Sequence, residues 1–158
     1  MPREMRRFKQ QLDESEVKRI LRENTSGALS LIDKDGYPYC VPLSYVYEYG
    51  AIYFHSAKSG HKIDAIRNCE KACFSIIDKD DVQPEKYTTF YKSVIAFGKV
   101  SIVENADEAM HAIKALGEKY YPEHETELNA EIDKSRNSFL IIKFQTERVT
   151  GKQAIELV

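Results

Sequence analysis

Two spacings of apolar residues alternate along the chain, and each predicts a different kind of element. Residues 13–23, DESEVKRILRE, carry apolar side chains at i, i+3 and i+4, which is typical of an amphipathic helix that Asp13 or Ser15 can cap. Residues 27–33, GALSLID, form a short, mostly apolar run that predicts a strand, and the DKDG tetrapeptide at 33–36 is typical of a turn. The pattern therefore predicts a helix, a strand and a tight turn in that order.

The next segment, YPYCVPLSYVYEYG at 37–50, predicts the clearest strand, because tyrosine and aliphatic residues occupy alternate positions from 39 to 49. Pro38 and Pro42 have no N–H to donate, so this strand lies at a sheet edge or bulges near Pro42. Alternating tyrosines are common in cores and dimer interfaces. The same segment also has backbone groups, a hydroxyl and an aromatic edge that suit contact with a flat ring. These groups belong to Pro42, Leu43, Ser44 and Tyr45.

The rest of the chain predicts more strands than helices. We expect a hairpin strand at 51–57, a helix at 59–68 with Ser59 as N-cap, strands at 72–78 and 93–104, a polar loop at 79–92, a helix that starts at Asn105 or Asp107 and ends at Pro122, a helix or loop at 127–137, and a last strand near 138–145. Short turns favour antiparallel neighbours. The order predicts one α+β domain, residues 1–158, built on an antiparallel sheet or barrel.

Composition narrows the class of protein. Hydrophobic residues make up 42% and charged residues 30%, which is ordinary for a globular domain. The formal net charge of −2 provides no general attraction for nucleic acid, so an anion site would have to be local. The sequence shows no apolar run long enough for a membrane span, and three cysteines are an odd count. We expect a cytoplasmic protein with reduced thiols.

The stretch FHSAKSGHK, residues 54–62, joins a predicted strand to a predicted helix. The first amides of a helix lack internal acceptors and carry a partial positive charge. Hydroxyls from Ser56 and Ser59 and charges from Lys58 and Lys62 would complete a phosphate site there. The same residues also fit a capped helix with solvated lysines, and the local pattern does not choose between them.

Candidate chemistry beyond this stretch is sparse. His55 can be a hydrogen-bonded strand residue, whereas a neutral His61 in the first helical turn could donate to a phosphate. Gly98, inside a strand, indicates close approach of another backbone or of a ligand. The sequence shows no metal-ligand spacing and no nucleophile with its base, so a cofactor would have to supply any reactivity.

Five segments in order resemble the 5-nitroimidazole-resistance (Nim) proteins, which belong to the pyridoxamine 5′-phosphate oxidase-like, flavin-binding split-barrel superfamily. These segments are REMRR at 3–7, DGYPYCVPLSYVY at 35–47, IYFHSAKSGHKIDAI at 52–66, TTFYKSVIAFGKV at 88–100 and TGKQAIEL at 150–157. Together they span nearly the whole chain. The resemblance implies an antiparallel split β-barrel with peripheral helices, and a homodimer that binds FMN, or less often FAD, at its interface.

The resemblance also assigns residues to the flavin. The ring would contact Pro42, Leu43, Ser44 and Tyr45. The phosphate or ribityl chain would be surrounded by His55, Ser56, Lys58, Ser59, His61 and Lys62. Phe97 and Gly98 would lie near the flavin, and Lys152 would come close to it.

The function implied is an FMN-dependent reductase that passes electrons from NAD(P)H or another donor to a small aromatic, nitro-bearing compound. His61 is the candidate catalytic residue, with phosphate binding as its other role. Two alternatives stay open, a flavin-storage protein and a haem-handling split barrel. The basic start, Arg3, Arg6, Arg7 and Lys9, is either a solvated arm or reaches across a dimer to an anion.

Overall fold

The computed structural model describes residues 4–158, which form seven strands, four α-helices and three 3-10 turns. The strands are β1 Ser26–Ile32, β2 Pro38–Ser44, β3 Val46–Glu48, β4 Ala51–Ala57, β5 Lys71–Gln83, β6 Thr88–Ile102 and β7 Phe139–Gln153. The helices are α1 Glu14–Glu23, α2 His61–Asn68, α3 Ala106–Tyr120 and α4 Glu125–Ser135. The predicted α+β class, an antiparallel split barrel with peripheral helices, is confirmed.

The order of the strands forces the sheet to curl. They pair antiparallel as β2-β1-β5-β6-β7-β4-β3, so β2 and β3 lie at opposite edges. In a flat sheet these edges would be roughly 29 Å apart, at about 4.8 Å per strand. Only Tyr45 separates β2 from β3 in the chain, and one residue spans roughly 7 Å between its neighbours. The sheet therefore bends round until its edges meet at Tyr45.

The single strand predicted at 37–50 is thus two strands, and the predicted inward face does not extend to its end. Tyr39, Val41 and Leu43 face the core as expected, but Tyr49 is exposed in the β3–β4 turn. Pro42 pairs in register with Ala28, so β2 has no bulge there. Of the two alternatives predicted from Pro38 and Pro42, the sheet edge is confirmed, because β2 is the first strand of the sheet.

Two apolar clusters hold the helices against the barrel. The larger one fills the barrel and takes Ile20 and Leu21 from α1 and Ile63 and Ile66 from α2. The smaller one lies outside, where Ala112 and Leu116 of α3 pack on β3, β4 and β7. Side chains alternate between these faces, so Phe54 of β4 points into the barrel while its neighbour Tyr53 contacts the outer cluster.

Three further boundaries differ from the sequence prediction. Most of the expected loop at 79–92 belongs to strands, because β5 and β6 continue as a two-stranded arm closed by a 3-10 turn at Pro84–Lys86. The last strand runs to Gln153 rather than 145. The helix predicted from 59 begins at His61, with Gly60 as N-cap in place of Ser59. Residues 125–135 resolve the open choice as a helix.

Candidate functional site

The first turn of α2 is open toward an incoming group. Gly60, its N-cap, has φ +127°, a backbone conformation that favours glycine, and no side chain caps the turn. No heavy atom lies within 4 Å of the position that a Cβ on Gly60 would occupy. The amides of His61 and Lys62 have no acceptor inside the helix. This turn therefore presents free N–H groups to an accessible space.

Lys62 adds a positive charge beside these amides. Its side chain is half-buried, and burial lowers the pKa of its ammonium group. Within residues 4–158 it makes no ion pair or side-chain hydrogen bond. Lys58 and Ser59 are exposed in the loop just before the helix. A partly desolvated ammonium without a counter-ion is unfavourable, and an anion held by these groups would relieve that cost.

His61 points to a different side of this helix. Its ring stacks on Tyr39 with centroids 4.1 Å apart, and its Nε2 lies 3.6 Å from Oδ2 of Asp33. Asp35 and Asp64 line the same cavity of about 340 Å³. Three carboxylates make this side a poor place for an anion. The two predicted roles of His61, in catalysis and in phosphate binding, both remain predictions.

The ring-binding segment predicted at 42–45 divides between the two faces of the sheet. Pro42 and Ser44 are exposed on the outer face, whereas Leu43 packs against the barrel core. Tyr45 is fully buried, and its hydroxyl donates to the carbonyl oxygen of Leu21 at 2.8 Å. Burial raises the pKa of the Tyr45 phenol. A flat ring on the outer face would therefore meet Pro42 and Ser44, while Tyr45 holds α1 against the barrel.

Tyr120, at the end of α3, is a residue that sequence reasoning missed. Its hydroxyl lies 3.0 Å from both the backbone nitrogen and the carbonyl oxygen of Tyr45, and it also donates to the carbonyl of Thr25. The neighbouring Lys119 donates to the carbonyl of Asn24 at 2.5 Å and lies 4.1 Å above the Tyr45 ring. Burial lowers the pKa of Lys119 to about 8. No local signal marks these roles, because they depend on how α3 packs.

The two predicted residues of β4 have opposite orientations. His55 is exposed on the outer side, where it lines one cavity together with Ser44. Ser56 is 7% exposed and points into the barrel, so its hydroxyl faces away from the outer side. The structure therefore brings together His55 and Ser44 from two predicted groups that are separate in sequence.

Phe97 and Gly98 also face opposite ways. Phe97 is 43% exposed on the outer face of β6. Gly98 faces inward at a register shift between β6 and β7, where a Cβ would clash with the carbonyl oxygen of Gln145. The close approach predicted for Gly98 is thus that of another backbone. Lys152 is half-buried on β7, with its Nζ 5.6 Å from the centre of the Tyr91 ring.

The outer face of the sheet carries several exposed apolar side chains, among them Ile77, Ile95 and Phe97. Pro42, Ala28, Ser75 and Ile95 lie in register across β2, β1, β5 and β6. Ile77 of β5 is 69% exposed. Small and apolar side chains on a sheet face suit contact with a flat ring or with another protein surface.

The basic start is only partly described. Arg3 lies outside residues 4–158, whereas Arg6, Arg7 and Lys9 line a shallow cavity of about 350 Å³ with the exposed ring of Phe8. Whether this arm reaches an anion across a dimer remains a prediction. Among the described residues, no helix combines the length and apolar character needed to cross a membrane.

Comparison with known proteins identifies the class. A sequence profile of the pyridoxamine 5′-phosphate oxidase family matches residues 13–153, and the chain belongs to that family. No curated protein matches the chain in a sequence search.

Solved structures share the fold at low identity. A candidate 5-nitroimidazole antibiotic resistance protein from Bacteroides thetaiotaomicron has 21% identity and a TM-score of 0.75, covering 90% of this chain and 86% of that one. A conserved hypothetical protein from Mycobacterium tuberculosis has 19% identity and a TM-score of 0.80, covering 92% and 88%. The FAD and heme binding protein from Mycobacterium smegmatis has 17% identity and a TM-score of 0.79, covering 92% and 74%.

Proposed function

We propose that this protein is a flavin-dependent oxidoreductase that binds FMN and reduces small aromatic, nitro-bearing compounds. One observation carries the proposal: Lys62 is half-buried beside the uncapped first turn of α2, with no counter-ion among the described residues 4–158. In a chain of the pyridoxamine 5′-phosphate oxidase family, a phosphate-bearing cofactor is the group that would satisfy it.

The residues present fit a flavin mononucleotide. Lys58, Ser59, Lys62 and the first amides of α2 supply donors for a phosphate. Pro42 and Ser44 on the outer face supply a neutral, mostly apolar contact for the ring. FMN needs one phosphate site, and FAD would need further contacts for its adenylate half. FMN is therefore the proposed cofactor, with FAD as the alternative.

The bound flavin would supply the hydride and electron chemistry that no protein side chain here offers. The chain itself would hold the phosphate with its lysines and place the ring against Pro42 and Ser44. NAD(P)H is the proposed electron donor. The exposed apolar outer face supports a homodimer with the flavin at the interface, since isolated apolar sheet faces on a surface are costly.

The proposal is tested by an absorption spectrum of the purified protein, followed by release and mass determination of the bound flavin. We expect flavin absorption bands and the mass of FMN. NAD(P)H consumption with a nitroaromatic acceptor, measured without oxygen, then tests turnover. A colourless protein that takes up no added flavin would overturn the proposal, and flavin binding without NAD(P)H consumption would reduce it to a storage protein.

A second candidate, haem binding, has a specific observation behind it. One structure with this fold is the FAD and heme binding protein, and His55 here is exposed with no hydrogen bond to another side chain in the described part of the chain. Neutral imidazole is a common haem ligand. A Soret band after haem titration, lost in His55→Ala, would favour this candidate.

A further inference from the structure

A cavity of about 440 Å³ lies between the barrel and the α3–α4 pair, a volume within the range of small-molecule sites. Its helix side is mostly apolar and includes Ile113 and Leu116 of α3 and Leu128 and Ile132 of α4, with Phe139 of β7 beside them. Its barrel side is formed by Ser44 and His55. The proposed flavin site and this cavity therefore share Ser44.

The wall between the two helices is closely packed. A Cβ on Gly117 of α3 would overlap the side chain of Leu128 on α4, so glycine lets the two helices approach here. Leu116 and Ile132, which flank this contact, are each 5% exposed. The apolar side of the cavity is thus part of a packed helix pair and keeps its shape without a ligand.

The polar groups of the cavity are distributed unevenly. The Tyr120 hydroxyl is occupied by the backbone of Tyr45, and Ser135 donates to Glu131 at 3.0 Å. On the barrel side, the side chains of Ser44 and His55 have no hydrogen-bond partner among residues 4–158. The donors left without a partner in this part of the chain therefore lie on the barrel wall, whereas the helix wall adds the carboxylate of Glu131, which can only accept.

We propose that this cavity binds a small, flat and uncharged aromatic molecule that carries one hydrogen-bond-accepting group. The ring would lie against Ile113 and Leu128, and the accepting group would face Ser44 and His55. The carboxylate of Glu131 at the rim disfavours an anionic substituent. Its role as the acceptor site of the reductase rests on the proposed function, whereas ligand binding does not.

Binding of nitrobenzene, compared with toluene of similar shape, tests the proposal. ¹H–¹⁵N spectra of the full chain, recorded with and without saturating FMN, would follow the titration. We expect saturable shifts centred on the amides of Gly117 and Leu128, and tighter binding of nitrobenzene than of toluene. His55→Phe keeps a ring of similar size and should remove that preference.

Variants that fill the cavity with a larger side chain can be compared with a variant that adds the same side chain outside it. Leu128→Trp should weaken nitrobenzene binding at least tenfold, and Ile113→Phe provides a milder filling from the other helix. Ala130→Trp, exposed on the same helix α4, is the control and should bind as wild type does. FMN affinity, measured by flavin fluorescence, should stay unchanged in Leu128→Trp.

Several results would overturn the proposal. These are nitrobenzene shifts that map elsewhere, no saturable binding up to its solubility, or wild-type affinity in both filled variants. Equal losses of FMN and nitrobenzene in Leu128→Trp would also overturn it, because the cavity would then belong to the flavin site. A protein that binds nitrobenzene here but takes up no FMN would contradict the proposed function and leave the cavity's ligand class intact.

Discussion

Helices α1 and α2 both pack on the barrel, but their first turns are built differently. Asp13 caps α1 by accepting from the amide of Glu16 at 2.8 Å. Arg19 and Lys92 both bind Glu16 and lower the pKa of its carboxyl group to about 2. At α2 the cap is Gly60, and Lys62 has no partner in residues 4–158.

The difference indicates that the first turn of α1 has a structural role, whereas the first turn of α2 can bind a ligand. In α1 the side chain of Asp13 accepts from a first-turn amide, and the charge of Glu16 is paired with Arg19 and Lys92. In α2 no described side chain accepts from the first turn or pairs with Lys62, and the space beside Gly60 is open. A partly buried ammonium group with no counter-ion lowers stability, so Lys62 favours a ligand that pairs with it.

The largest effect should come from removing the charge at α2. Lys58→Ala with Lys62→Ala should weaken FMN binding by roughly 1.5–3 kcal/mol per lysine, about tenfold or more each. The change is measured by fluorescence titration of FMN. Lys18→Ala with Lys99→Ala makes the same change in net charge at lysines that pair with Glu14 and Glu70, and should leave FMN affinity unchanged. Equal affinities in the two double variants would show that the phosphate binds elsewhere.

Removing the cap of a helix that binds no ligand should lower the stability of the protein and leave FMN binding unchanged. Asn105 caps α3 by accepting from the amide of Glu108 at 2.9 Å. Asn105→Ala should lower the free energy of unfolding by about 1 kcal/mol, measured by urea denaturation. Asn105→Ser has a hydroxyl that can cap the helix, so it should keep most of the wild-type free energy of unfolding. A change in FMN affinity in Asn105→Ala would contradict the division between the two kinds of helix start.

A smaller effect should appear as pH dependence of FMN binding. Because burial lowers the pKa of Lys62, this group loses its proton at a lower pH than an ordinary lysine. FMN affinity should therefore be fully present below that pKa and fall several-fold as the pH rises through it. Lys62→Arg stays charged throughout and should flatten the profile. A wild-type profile as flat as that of Lys62→Arg would argue against contact between Lys62 and the phosphate.

The smallest effect is expected at His61. Its ring stacks on Tyr39 and its Nε2 faces Asp33, so it lies on the acidic side of α2. His61→Gln should change turnover by less than about twofold when FMN is saturating. The measurement is kcat for NAD(P)H consumption with nitrobenzene. A loss of tenfold or more at saturating FMN would support the catalytic role predicted for His61.

The sequence predicted those parts of the fold that depend on local patterns. The amphipathic spacing of Val17, Ile20 and Leu21 located α1, and the alternation from Val94 to Val100 located the inward face of β6. The break at Tyr45 was missed because period two continues through it in the sequence. Only the fold reveals that Tyr45 turns toward α1 while Val46 packs on α3. The arm at 79–92 was missed because apolar and polar residues do not alternate along its two exposed strands.

In the candidate site, too, the sequence predicted the parts that depend on a local pattern and missed those that depend on the fold. Lysines and hydroxyls before a helix are a local pattern, so the start of α2 could be predicted apart from its cap. The cavity beside His55 could not, since Ile113, Leu128 and Phe139 come from three elements and each is also a normal core residue. The orientation of Ser56 and Gly98 into the barrel depends on the register of β4 and β6, which sequence alone leaves open.

Closure of the barrel also has a consequence for folding kinetics. Ala51 pairs with Gln145, more than half the chain's length away, whereas the β5–β6 hairpin pairs neighbouring segments. Contacts between distant segments require a larger loss of chain entropy before they form. The hairpin should therefore form early, and the pairing of β4 with β7 should come late. Since β4 and β7 provide His55 and Phe139, ligand binding in that cavity would report on the last step of folding.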